Sequence, residues 1–524
     1  MNDYWERRKA REMYDYMEEA EKVADQIAKL YLKASRYIST QADAIFEKFV
    51  TKHHLSEAEA RRLLNILRDR TSLDELLEKL RNGDMSQGKE ELLAQLEAPA
   101  YQSRLERLKQ LQNQLDYVMQ NIYQQEKVFT TAHYVDLANQ AYYRGIFDIQ
   151  QRVGAAFSFN VIDPKVIDQV TKSRWSGKNY SESIWKNTRA LAQDLKEELL
   201  INLVTGRTNR EAAEIINNKF ASGASAARRV IRTESNYVAT ELNFKAYEEA
   251  GIEKYRYCAI LDLRTSTICR ELDNKIFLVS EREAGKNSPP MHPWCRSTTI
   301  EVITEELANS LKRSARDPAT GKVLELPGSM SYQEWYDKYV KGRPDAELVE
   351  KQIKNRSADR KQYKKYRDIL GDEVPKTLDE FQKMKYNEPE KWNQLKAGKQ
   401  DRLNQMDFSE MDRLSGTLGN REVRAWYKAH DEKIPDLIDK TLPIEQQARQ
   451  ACKLRNDNRT AARELMKDQD MRKQLDITDP NKSFEELMQH KIQDKGLSYE
   501  DAVKDILETA TKTRKSVNKM FGLE

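Results

Sequence analysis

Cysteine is scarce in this chain, with four among 524 residues. They are too few and too unevenly placed for a disulfide framework, so reduced thiols are expected. Long apolar runs are missing: none approaches the roughly 20 residues of a membrane span. The N-terminal MNDYWERRKAREM is charged from the start and lacks the apolar core of a signal peptide. A soluble, cytoplasmically made protein is expected, which leaves open later incorporation into a particle. An excess of one charge is absent too, with Lys+Arg 89 against Asp+Glu 85 and a net of +4. That excludes a polycation wrapped by nucleic acid, so any DNA contact must be local. The hydrophobic fraction is low, 39% against 33% charged, as in long amphipathic helices with a wide solvated face. The length exceeds what one core supports, and about three domains are expected.

What is present is mostly helical pattern. Residues 1–170 read as a helical arm, with Val23, Ile27, Leu30, Ala34, Ile38, Ile45 and Phe49 on one face. Ser56 to Glu59 and Ser72 to Glu75 have capping-box spacing, and Asn82-Gly83-Asp84 and Ala98-Pro99 are breaks. Leu105, Leu108, Gln112, Leu115, Met119 and Ile122 alternate by three and four, which suits an intramolecular hairpin or a coiled-coil seam. Residues 171–310 form the central domain, entered near Asp163-Pro164. A helix over 181–204 stops at Gly206-Arg207, and Thr208 to Glu211 opens a short helix. The small-residue stretch Ala221 to Ala227 then reads as a corner before a helix over 226–250. That corner is compatible with a helix-turn-helix DNA reader or with a plain bundle corner.

After Gly251 the period changes, and Tyr255 to Leu261, Ile276 to Val279 and Ser297 to Ile303 read as strands of a small sheet. Loops 262–271 and 280–294 should share one of its edges. Beyond Glu305 helix is expected to resume. Residues 311–343 make a linker, with loop signals at Asp317 to Gly321 and Leu326 to Ser329 and an aromatic helix from Tyr332 to Val340 capped by Ser331 and Glu334. Residues 344–524 form a charged helical region of unassigned role, broken near Pro375, Pro435, Pro443 and Pro480. The fold class is mainly α with a small central α+β domain, a long helical N-terminal arm and a helical C-terminal region.

Cys258, Cys269, Cys295 and His292 fall close together in the central domain. Zinc takes thiolate and imidazole tetrahedrally. His292-x-x-Cys295 offers two ligands on a turn stiffened by Pro289, Pro290 and Pro293. Cys269 lies on the opposite loop, and Cys258 or Asp262 could complete a set of four. Full protein ligation would make the zinc structural; the alternative is a metal-free polar core with Cys258 and Cys269 packed as small hydrophobes. Asp262 and Arg264 stand at a strand end, Asp262 to cap the next turn and Arg264 to bond loop carbonyls. A catalytic alternative makes Asp262 a base or ligand and His292 an acid in a metal-dependent nuclease or other DNA-processing enzyme. The second carboxylate and activated nucleophile that hydrolysis needs are missing, so structure is preferred.

Arg228 and Arg232 share a helix face, whereas Arg232 and Glu234, two apart, cannot pair with each other. Each needs a partner elsewhere, the Cys/His unit among the choices. Arg455, Arg459, Arg463 and Lys467 recur every fourth residue, either as a solvated stripe or, with Arg228 and Arg232, as contacts to DNA phosphates.

The segments IRTE, LDLRTSTICRELDNKIF and PPMHPWCRSTT resemble the minor head (head morphogenesis) protein family of tailed double-stranded DNA phages, which includes the Mu protein F-like proteins. The likeness covers about Asn179 to Val302. Its motif core is Arg232, Glu234, Asp262, Arg264, Pro290 and Arg296, and some relatives have further cysteines where this chain has Ser266 and Ser297. The resemblance implies a non-enzymatic component of procapsid and virion that assists head assembly and DNA packaging or ejection. Its partners would be the portal protein, major capsid or scaffold proteins and, non-specifically, double-stranded DNA. Its location would be the host cytoplasm during assembly and then the virion, in the capsid interior or at the portal vertex. No cofactor beyond a structural zinc is expected. Some relatives carry toxin-like or ADP-ribosyltransferase domains at the C-terminus, but Gly342 to Glu524 matches none of them.

Overall fold

Caps set the helix boundaries. The computed structural model describes residues 2–47, 55–83, 87–305, 312–414, 416–466, 469–478 and 480–511. Its first half runs α1 (Asn2–Phe46), α2 (Glu57–Ile66), α3 (Leu73–Asn82), α4 (Gln87–Glu97), α5 (Pro99–Val153), α6 (Pro164–Lys172), α7 (Tyr180–Thr205) and α8 (Asn209–Glu249). Ser56 and Thr208 each accept from the amide three residues on, and Glu59 and Glu211 bond back to the cap amide. Two otherwise orphaned donors are thereby satisfied at each start. Ser72 caps α3 on its own, because Glu75 takes the amides of Arg68 and Asp69. Phe49 and Asp84 lie outside the described residues.

Two compact units result, Met1–Lys341 and Gly342–Glu524. In the first, α1, α5, α7 and α8 form a four-helix bundle. Tyr31 bonds Glu126 and Ser35 bonds Asn217, so α1 runs against both α5 and α8. Ile27, Tyr31 and Ile38 of α1 share one core with Leu108, Leu115 and Ile122 of α5, Leu195 and Leu199 of α7, and Phe220 and Ile231 of α8. The expected N-terminal arm is therefore not a separate arm. Its apolar stripes are covered by the central helices of the same unit, each large side chain contributing about 1.5–3 kcal/mol. The alternating positions from Leu105 to Ile122 are buried in this hairpin arrangement, Gln112 bonding the Thr71 carbonyl at 3.1 Å.

The small-residue stretch is no corner: α8 passes straight through it. A Cβ on Gly223 would lie 2.6 Å from Leu191 Cδ2 and 2.7 Å from Tyr31 Cε1. Small side chains here bring α8 close to α1 and α7, a packing demand that sequence patterning reads as a turn signal. The helix-turn-helix alternative loses its turn.

β1 (Lys254–Cys258) is the middle of a three-stranded antiparallel sheet. After it come α9 (Thr267–Leu272), β2 (Ile276–Leu278) and β3 (Thr298–Glu301). The register pairs Tyr255 with Phe277 and Tyr257 with Thr299. Tyr255 seats the sheet on the bundle, its ring 4.8 Å from that of Phe244. Where helix was expected to resume, the chain instead forms a hairpin, β4 (Lys312–Arg316) and β5 (Val323–Pro327). Its turn is built by Asp317, which accepts the amides of Ala319 and Thr320, and by Gly321 at φ 71°. The inward position Arg313 is charged, which hid the period-2 pattern. The aromatic helix Tyr332–Tyr339 follows with the expected Ser331 and Glu334 box.

The second unit is helical throughout its described residues, with Tyr366, Phe381, Trp426 and Tyr427 in its main core. Pro435 lies in the last turn of the helix Asn420–Leu437, which ends two residues on, near the expected break. The fold is mainly α with small sheets, and among the described residues no helix is long and apolar enough to cross a membrane.

Candidate functional site

The C-terminal half of α8 carries a row of polar side chains that grip the His292 to Ser297 loop. Thr233 Oγ1 accepts from the Trp294 amide at 3.1 Å and donates to the Arg229 carbonyl at 2.7 Å. Asn236, fully buried, donates through Nδ2 to the carbonyls of Ser297 at 3.0 Å and Cys295 at 3.3 Å. Trp294 takes φ 67°, unusual for a bulky residue, and is held there by its bonded amide and by Arg232, whose guanidinium carbon lies 5.6 Å from the ring centroid. Glu234 turns the other way and accepts from Trp175 Nε1 at 3.1 Å, with Trp175 stacked on Tyr237. Burial pushes the Glu234 carboxyl up to about 7, the Trp175 bond only partly opposing it. Thr233, Asn236 and Trp175 were not singled out from sequence; Thr233 and Asn236 had only their position near Arg232 and Glu234 as a signal, and Trp175, 59 positions from Glu234, had none of that kind.

Facing that row, Cys269, His292 and Cys295 converge, their ligand atoms all within 4.8 Å of one another. The sulfurs are 3.8 Å apart, and Cys269 Sγ is 3.4 Å from His292 Nε2. Both thiols are buried and all four cysteines are free. Cys269 is placed by α9, whose cap Ser266 accepts its amide, and Tyr257 of β1 donates to its sulfur at 3.2 Å. The hydrogen bond from Cys295 does most to lower the Cys269 thiol, and Ser266, Ser297 and Tyr257 add to it against burial. Cys295 is pushed up in turn by the same hydrogen bond and by burial. The peptide Pro289-Pro290 is cis, and Pro290 is buried.

Neither proposed fourth ligand joins this cluster. Cys258 follows Tyr257 on β1, and alternation along a strand sends it to the opposite face; its thiol lies 3.8 Å from the Arg256 carbonyl. Asp262 is held by Arg296 in a bidentate pair at 2.6 and 2.9 Å and accepts from Thr265 Oγ1 and the Arg264 amide. Burial pulls its carboxyl up, but Arg296 and these bonds more than reverse that, leaving it below the usual carboxylate range. Arg264 is exposed; the carbonyls of Thr265 and Leu263 are bonded by Arg270, at 2.7 and 3.4 Å. A second carboxylate centre was missed altogether. Asp273 accepts the Ala259 amide, the Tyr332 amide and both terminal nitrogens of Arg313.

The cations read as DNA contacts are engaged within the chain. Arg228 pairs with Glu21 and Asp25, and Arg232 with Glu21. In the second unit Arg459 is buried against Tyr427 Oη and the Pro480 carbonyl, Arg463 pairs with Asp476, and Arg455 is half-buried. Lys467 lies outside the described residues. A four-residue repeat cannot tell an outward stripe from one whose cations fold onto neighbouring helices.

Residues 193–300 match the family model described as Phage Mu protein F like protein. The NAD(+)–arginine ADP-ribosyltransferase EFV of Enterococcus faecalis is 29% identical over 213 residues, which cover 38% of this chain and 42% of that protein. The chain thus spans under half the length of that relative. No solved structure matches. The matched segment contains Asn236, Asp262, Cys269, His292, Cys295 and Arg296, so the site lies within the part of the chain that is similar to the phage Mu protein F-like family.

Proposed function

We propose that this chain is a structural protein of a tailed-phage head, bound at the portal and inner shell, that assists head assembly and DNA packaging or ejection. The observation that carries the reading is the family match over the segment where α8 pins the Cys/His loop. The chemistry of that segment supports a non-enzymatic role. Both oxygens of Asp262 are taken by Arg296, and a carboxylate so held is a poor base. Because Arg228, Arg232, Arg459 and Arg463 are each bonded within the chain, portal and shell rank ahead of DNA as partners.

Expression with the portal and major capsid proteins of the same phage provides the test. Co-sedimentation of this chain with procapsids or portal rings is expected. A chain that associates with neither, and binds no DNA at low salt, would defeat the proposal. Plasmid incubated with magnesium, manganese or zinc should stay intact; cleavage lost in His292→Ala would instead favour the nuclease reading. Transfer of ADP-ribose from NAD(+) to an arginine analogue would move the reading to the activity named for the Enterococcus protein.

A further inference from the structure

We infer that Cys269, His292 and Cys295 form a zinc site with three protein ligands and a water in the fourth position. The distances carry the case. Zinc–sulfur and zinc–nitrogen bonds of about 2.3 and 2.05 Å at tetrahedral angles separate two sulfurs by about 3.8 Å and a sulfur from a nitrogen by about 3.6 Å. The chain places the two sulfurs 3.8 Å apart and Cys269 Sγ 3.4 Å from His292 Nε2. Two of the three ligand-to-ligand separations therefore already match the edges of a zinc tetrahedron, and the third lies within 4.8 Å.

The imidazole is prepared for this role. His292 Nδ1 lies 2.7 Å from the Pro293 carbonyl oxygen, and a carbonyl only accepts, so Nδ1 carries the hydrogen. Nε2 then presents its lone pair toward the sulfurs, the orientation that an outer hydrogen bond imposes on ligating histidines. The loop is fixed from behind by Asn236, which bonds the Cys295 and Ser297 carbonyls, and Tyr257 Oη donates to the Cys269 sulfur. Little ordering is left for the metal to impose.

The fourth vertex falls to solvent by the geometry of the rest. Cys258 faces the other side of β1 and Asp262 is occupied by Arg296. Beside the cluster is a cavity of about 20 Å³ whose walls include Ser266, Cys269, His292, Arg296 and Ser297. That is room for one water, which needs roughly 10–15 Å³ and a few polar partners. A site with two thiolates, one imidazole and one water differs from the fully protein-ligated set expected from sequence, and leaves one exchangeable position.

The test uses the full chain, purified reduced. About one equivalent of zinc per chain is expected. Cobalt substitution should give the thiolate charge-transfer band of a two-sulfur tetrahedral site. Cys269→Ser and Cys295→Ser should each release the metal, and Cys258→Ser should keep it. Ser297→Cys, which offers a thiolate beside the open vertex, should slow removal of zinc by a chelator at least ten-fold. Reduced wild-type chain that takes up neither zinc nor cobalt would overturn the inference without reference to any variant. So would loss of metal in Cys258→Ser, or a native chain in which Cys269 and Cys295 are joined as a disulfide. None of these outcomes depends on phage particles, so failure here is separable from failure of the head-protein reading.

Discussion

Two polar centres built on the same loops are satisfied in opposite ways. At Asp262 and Asp273 each buried carboxylate is met by an arginine fork and by amides, so charge and hydrogen-bonding capacity are both filled. Beside the C-terminal half of α8, Glu234 meets an uncharged indole, and two thiols and an imidazole face one another with the neighbouring Arg296 guanidinium already committed to Asp262. The first centre is closed, and what it does is hold loop 259–273 to the hairpin and the aromatic helix. The second is held just as firmly by Asn236 and Thr233, and its two sulfurs and ring nitrogen converge on one another. Rigidly held donor atoms that converge on one point are what a ligand site requires; a carboxylate already matched by an arginine fork is only architecture.

Breaking the closed centre should have the largest effect. Asp273→Ala strands the buried Arg313 guanidinium and is expected to cost about 3–5 kcal/mol in denaturant unfolding, whereas Asp273→Leu with Arg313→Leu should cost less, because no unpaired charge remains. Next comes the carboxyl without a cation. Glu234 is about 7 in the folded chain against an ordinary 4.5. Between those values the folded chain keeps a proton that the unfolded chain has lost. Its contribution therefore weakens as pH rises through that window, by about 3 kcal/mol in total. Glu234→Gln should flatten this part of the pH dependence of thermal unfolding; an unchanged slope would show that the group is paired. Asn236→Ala leaves two buried carbonyls without their donor and should cost about 1–3 kcal/mol, and it should also weaken metal uptake, which Asp273→Ala reaches only through loss of fold. The smallest effect is expected for Arg228→Ala, a part-exposed ion pair worth about 0–1 kcal/mol. A marked loss of DNA binding there, with stability intact, would contradict its assignment to packing.

Much of the fold was legible in local chemistry. The boxes at Ser56, Thr208 and Ser331 mark helix starts because a side chain three residues away is all they need. The strands around Tyr255, Ile276 and Thr298 came close to their expected places because β-prone runs flanked by turns report a local preference. Misreadings arose where a residue answers to a distant partner. Gly223 looks like a corner until Tyr31 and Leu191 are beside it. Arg313 looks like surface until Asp273 is found 40 positions away. The Arg459 stripe looks solvated until Tyr427 and Pro480 cover it.

By itself the sequence determined that cysteines and histidine would meet near a proline-stiffened turn, since HPWC and the CREL helix are short-range features with few conformations open to them. Which atoms complete the site was left to tertiary structure. Strand alternation turned Cys258 away, the fork of Arg296 took Asp262, and Asn236 from α8 anchored the loop. A ligand set is a statement about distances of a few ångströms between segments far apart in the chain, and only packing of the bundle against the sheet sets those distances.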